Sequence, residues 1–83
     1  MPSVPVADAV FHALAKQLNL PEPQLRARAG DGLEALGLDS HGLMRVLLEI
    51  EQMLGLPTGS LDLPDQALES PQTMVDGVSA ARS

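Results

Sequence analysis

Cysteine is absent from this chain, so it has no disulfide framework, no thiolate metal site and no cysteine nucleophile. Aromatics are nearly absent as well: Phe11 stands alone, which argues against modules that stack nucleic-acid bases. Basic residues are few, 5 against 11 acidic, and the net charge of −6 opposes binding to phosphate backbones or anionic lipid heads. Long apolar runs are missing too. No stretch approaches the roughly 18 residues of a membrane span, and the start MPSVPVADAV lacks the basic and apolar regions of a signal peptide. The expectation is a soluble, cytoplasmic, monomeric protein with no nucleic-acid partner and no membrane span. His12 and His41 have no ligand-like spacing around them, so no metal site is expected.

At 83 residues the chain has room for one domain, taken as residues 1–83. A domain of this size buries only about 60–65% of the surface its unfolded chain exposes. A deep, fully lined catalytic cavity would consume the core, so an enzyme of the usual kind is not expected. An apolar fraction of 45% nevertheless suits a folded domain rather than a disordered one. Charge is unevenly placed: residues 1–28 carry a net +1 and residues 29–83 a net −7.

Hydrophobic periodicity predicts an all-α fold, a small four-helix bundle with three main helices, one short helix and a long first loop. The first helix spans about 5–18, with Pro5 in its first turn after Ser3 or Val4, and Val6, Val10, Phe11, Leu14 and Leu18 on one stripe. Asn19 ends it, and Pro21 and Pro23 forbid continuation. Residues 20–38 form a long connection whose leucines predict that it is packed down. The next helix spans about 40–54, capped by Asp39 and stopped by Gly55 and Pro57. Its core stripe is Leu43, Val46, Leu47, Ile50 and Leu54, which leaves Met44, Leu48 and Met53 as surplus apolar residues. Gly42 in its first turn costs about 1 kcal/mol relative to Ala. A short helical turn over 63–68 and a last helix over 71–81, opened by Ser70-Pro71 and weakened by Gly77, complete the bundle.

The segment Leu36-Gly37-Leu38-Asp39-Ser40, followed by the amphipathic stretch from Leu43 to Leu54, resembles the acyl carrier proteins and the related peptidyl carrier domains. The likeness extends over roughly residues 5–80. It includes Glu51 and Leu54-Gly55-Leu56 at the helix end, Asp62-Leu63-Pro64-Asp65 before the short helix, and Ser70-Pro71-Gln72-Thr73-Met74 before the last one. The resemblance implies that Ser40 receives a covalent 4′-phosphopantetheine arm, and that Asp39 helps hold the metal accompanying coenzyme A in the phosphopantetheinyl transferase. It also implies a role as a non-catalytic carrier of thioester-bound intermediates, loaded by a ligase or acyltransferase and served to downstream biosynthetic enzymes.

Residues 40, 44 and 48 follow the i, i+4, i+8 pattern, so Met44 and Leu48 are expected on the side of the helix that carries Ser40, with His41 and Arg45 beside them. This is the expected docking face, with Glu49, Glu51, Asp62 and Asp65 as an acidic ring for basic partners. Two positions depart from the pattern of fatty-acid carriers: His41 stands where leucine is usual, and Arg45 where an acid is usual. The departures point to a dedicated secondary-metabolite pathway with acyl, aryl or aminoacyl cargo. The competing reading is a helical adaptor that binds one partner through Met44 and Leu48 with Ser40 unmodified. A hydrolase using Ser40 and His41 is rejected, because adjacent helical residues do not face each other. His12 is read as a surface or core-edge residue.

Overall fold

The computed structural model describes residues 4–82. Its elements are α1 (Val6–Leu18), α2 (Glu22–Arg26), α3 (Ser40–Leu54), a 3₁₀ turn (Asp65–Leu68) and α4 (Pro71–Arg82). No strand occurs among the described residues, and no helix there is long and apolar enough to cross a membrane. The predicted all-α architecture holds, but the roster of elements differs from the expected one.

The first correction is α2, a five-residue helix inside what reads in sequence as a loop. Pro21 precedes it and Pro23 occupies its first turn, where a missing N–H costs no hydrogen bond. Tertiary contacts finish the argument. Leu25 is fully buried, and Arg26 lies 4.7 Å over the Phe11 ring while its guanidinium meets Asp8 at 2.8 Å. The second correction is Pro5, which sits before α1 in an extended conformation rather than in its first turn, though its carbonyl accepts from Ala9 N. Ser3, expected near this boundary, lies outside the described residues. The third concerns 63–68: the helical turn begins only at Asp65, and it is 3₁₀.

The core is built from α1, α3 and α4. Val10, Phe11 and Leu14 of α1, Val46 and Ile50 of α3, and Met74 and Val78 of α4 are buried together. Burying each such side chain contributes about 1.5–3 kcal/mol. The predicted leucines of the long connection join them: Leu25, Leu33 and Leu38 are buried, and Leu20 and Leu36 pack against the cluster. On α3 the predicted stripe is only partly sunk, with Leu43, Leu47 and Leu54 half-buried.

Two glycines read as local costs in sequence stand at close contacts, one tight and one with no room at all. A Cβ on Gly42 would lie 3.0 Å from Asp39 Oδ1 and 3.1 Å from Gln17 Nε2, so a side chain there would make the capping carboxylate and the Gln17 amide shift by a few tenths of an ångström. A Cβ on Gly77 would fall 2.6 Å from Ala67 Cβ, so α4 reaches the 3₁₀ turn only because residue 77 has no side chain. The start of α4 is fixed by a reciprocal pair: Thr73 N donates to Ser70 Oγ at 3.2 Å and Ser70 N to Thr73 Oγ1 at 2.9 Å.

Candidate functional site

The start of α3 is set by the chain that precedes it. Residues 33–36 form a helical turn that ends on Gly37, whose φ of 97° lies in the left-handed region that favours glycine. Leu38 N closes the turn on Leu33 O at 3.0 Å, and Gly37 N bonds Glu34 O at 3.0 Å, the pairing of a helix-terminating motif. Two further backbone bonds tie residues 29–33 to the start of α4, Leu33 N to Glu69 O at 2.8 Å and Gln72 N to Ala29 O at 3.0 Å. Buried Leu33 and Leu38 then anchor the segment in the core. Asp39 and Ser40 therefore emerge from a firmly held support.

Asp39 is the N-cap of α3, with extended backbone and a side chain that accepts from Gly42 N at 2.6 Å. Ser40 begins the helix. It is exposed, and among the described residues its hydroxyl has no hydrogen-bond partner. The capping duty falls on the neighbouring carboxylate, so the hydroxyl stays free at the positive end of a 15-residue helix. His41 is exposed too and makes no hydrogen bond to Ser40. A hollow of about 230 Å³ opens beside Ser40, walled by Leu33, Leu38, Leu43 and Leu68 and by the acids Glu34 and Asp39. A wider one of about 510 Å³ shares Leu33, Leu43 and Leu68 and adds the acidic side chains Asp65 and Glu69.

The outer face of α3 presents Met44 at 64% and Leu48 at 41% exposure, the large apolar side chains most open to solvent among the described residues. Arg45 is exposed as well. Of the four acids expected to ring this face, Glu49 and Glu51 are engaged within the chain. Glu51 is a correction: it is 2% exposed, and its Oε2 accepts from Leu61 N at 2.9 Å. The helix period places residue 51 outward, but the returning loop covers it, so Glu51 fastens that loop instead of meeting a partner. Glu49 is half-buried and bound to Lys16 at 3.3 Å. Asp62 and Asp65 are exposed, on the segment after α3 and in the 3₁₀ turn, and Asp65 shares the wider hollow with Leu43 of α3. His12 is exposed, 3.7 Å from Glu22. No group of three or more metal-ligating side chains occurs among the described residues.

An exposed, unpartnered serine hydroxyl at the N-terminus of a long helix fits a phosphodiester. The oxygen is accessible from outside, the helix end favours the negative charge, and Asp39 is already committed by one oxygen to the backbone. The comparisons with known proteins agree with that geometry. The family model described as "Phosphopantetheine attachment site" matches residues 8–78. A probable acyl carrier protein of Streptomyces halstedii is 43% identical over 42 residues, an alignment that covers 48% of this chain and 46% of that relative. No solved structure matches the chain. With the family model spanning nearly all of α1 to α4 and a free serine at the helix start, the chain belongs to the phosphopantetheine attachment-site family, whose members are carrier proteins for covalently attached 4′-phosphopantetheine and not catalysts.

Proposed function

We propose that Ser40 accepts the 4′-phosphopantetheine arm and that the chain delivers a tethered intermediate from a loading ligase or acyltransferase to downstream enzymes. When bound, the arm supplies a terminal thiol that holds the cargo as a thioester. The observation that carries the reading is the division of labour at the start of α3. Asp39 satisfies Gly42 N, so Ser40 Oγ is exposed and uncommitted.

The chain's own residues set the rest. A negative charge placed on Ser40 Oγ gains about 0.3–1 kcal/mol from the end of α3. The Ser40 proton has to be taken by the modifying enzyme, because no basic side chain among the described residues hydrogen-bonds this hydroxyl. Asp39 keeps one carboxylate oxygen uncommitted for the metal that the family resemblance assigns to the phosphopantetheinyl transferase. Docking by Met44 and Leu48 offers a small apolar area, in keeping with weak, reversible encounters. Tethering raises the local concentration of cargo at each docked enzyme, so affinity is not what drives transfer. His41 and Arg45 at the docking face support a dedicated secondary-metabolite pathway, with acyl, aryl or aminoacyl cargo.

Intact-protein mass spectrometry after incubation with coenzyme A and a broad-specificity phosphopantetheinyl transferase tests the assignment. The expected result is a gain of one arm by the wild type and none by Ser40→Ala. A folded wild-type chain that gains nothing, beside a control carrier that is fully modified, would leave the adaptor reading in its place.

A further inference from the structure

Of the lysine and arginine residues between residues 16 and 45, three are spoken for. Lys16 is bound to Glu49, Arg26 to Asp8 and Glu22, and Arg28 to Asp31 at 2.7 Å. Arg45 is the exception: no carboxylate lies within 4.0 Å of it among the described residues, and it is exposed beside Leu48, on the edge of the outer face nearer α1. Two acids share its helix, but Glu49 is held by Lys16 and Glu51 is buried under Leu61. The outer face of α3 is therefore apolar and cationic, although the whole chain carries −6. Beside it, a hollow of about 210 Å³ between α1 and α3 is lined by Lys16, Gln17 and Arg45, all nitrogen donors, and by Glu49, which Lys16 already engages.

From this we infer that the face of α3 bearing Met44, Arg45 and Leu48 docks partner enzymes whose contact surface is an apolar pocket bordered by carboxylates, one of which enters the hollow beside Arg45. The inference rests on the carrier reading and reverses the sign of partner expected from net charge. Physiological salt screens charges beyond about 8 Å, so the local sign decides the contact while the net charge acts only weakly at a distance. The two work together. An acidic partner is disfavoured near Glu34, Asp65 and Glu69, which are exposed and in no ion pair among the described residues, and is admitted at Arg45. Encounters are thereby oriented, with Ser40 brought alongside the docked enzyme.

The test uses a transferase with a basic carrier-docking surface, and its variant with those basic residues reversed to glutamate. Each is assayed for kcat/KM of arm addition to the wild type, Arg45→Glu, Arg45→Gln and Arg28→Glu. With the basic surface, Arg45→Glu is expected to be modified about three- to tenfold faster than the wild type, with Arg45→Gln between them. With the acidic surface the order inverts. Arg28→Glu changes net charge by the same amount away from α3, and is expected to shift either rate by less than about twofold. Circular dichroism confirms that the variants are folded. Equal rates for the wild type and Arg45→Glu with both transferases overturn the inference, as does an Arg28→Glu shift as large as that of Arg45→Glu. Failure of both transferases to modify any form, with a control carrier modified, overturns instead the assignment of Ser40 on which the inference rests.

Discussion

The connections before and after α3 are held in different ways. The one before it, residues 27–39, is secured at several independent points: buried Leu33 and Leu38, the Leu38 N to Leu33 O closure, and the two backbone bonds that cross to Glu69 and Gln72. The one after it, residues 55–64, starts from Gly55 at a φ of 70° and then leaves Pro57, Thr58, Gly59 and Ser60 exposed. Its buried attachment is Leu61, whose N–H ends on the Glu51 carboxylate. Leu56 and Leu63 also pack against the core on this side, but it has no backbone bond to another element like those of residues 29–33, so fewer of its amides are expected to be protected. The rigid side is the one that delivers Ser40, and a precisely presented hydroxyl is what a modifying enzyme requires.

The comparison can be broken most severely from the rigid side. Leu33→Ala removes a buried side chain that the core and the crossing bonds share, and is expected to cost about 2–5 kcal/mol. For a domain of this size that lowers the thermal midpoint by at least about 8 °C. The midpoint from calorimetry, with hydrogen exchange at Gly37 and Leu38, checks both the size and the place of the loss. On the other side, Glu51→Ala strands a buried N–H and is expected to cost about 1–3 kcal/mol in urea unfolding. Glu51→Gln keeps an acceptor oxygen and should lose less than half of that. Fast exchange of the Leu61 amide in Glu51→Ala, with residues 33–38 still protected, would sharpen the contrast. Loss of protection on both sides of α3 would mean that the two connections fold as one unit.

Much of this was legible in the sequence where punctuation is local. Asn19, Asp39, Gly55 and Ser70-Pro71 mark the ends of α1, α3 and α4 because each acts through its own backbone. The capped helix start at Asp39-Ser40 was legible for the same reason, whereas Ser40 as the attachment point followed only from the resemblance to carrier proteins and stands as a proposal. What escaped depends on contacts between distant segments. Pro21 and Pro23 read as breakers, yet α2 forms because Leu25 and Arg26 find α1. Gly77 read as a helix weakener, because the group that leaves no room for a side chain there, Ala67, lies on another element. Glu51 read as a surface acid because periodicity knows only its own helix, and the loop that buries it returns ten residues later.

The smallest expected effect bears on whether the start of α3 depends on its cap or on the support behind it. Asp39→Ala deletes the acceptor for Gly42 N, and a lost cap costs about 1 kcal/mol. If the anchored segment 27–38 positions Ser40, that loss loosens only the first turn, and the serine remains at the helix start. Asp39→Asn separates the two duties of this side chain. Asparagine caps as well as aspartate, so stability should change by only a few tenths of a kcal/mol, about the resolution of a good melt. The carboxylate charge is gone, however, and with it the oxygen that the family resemblance assigns to the transferase's metal. The expected outcome is a near-native thermal midpoint for Asp39→Asn with slower arm addition, and a lower midpoint with equally slow addition for Asp39→Ala. A native rate in Asp39→Asn would confine Asp39 to capping, and accuracy at Ser40 would then rest on the helix end and on the buried leucines behind it.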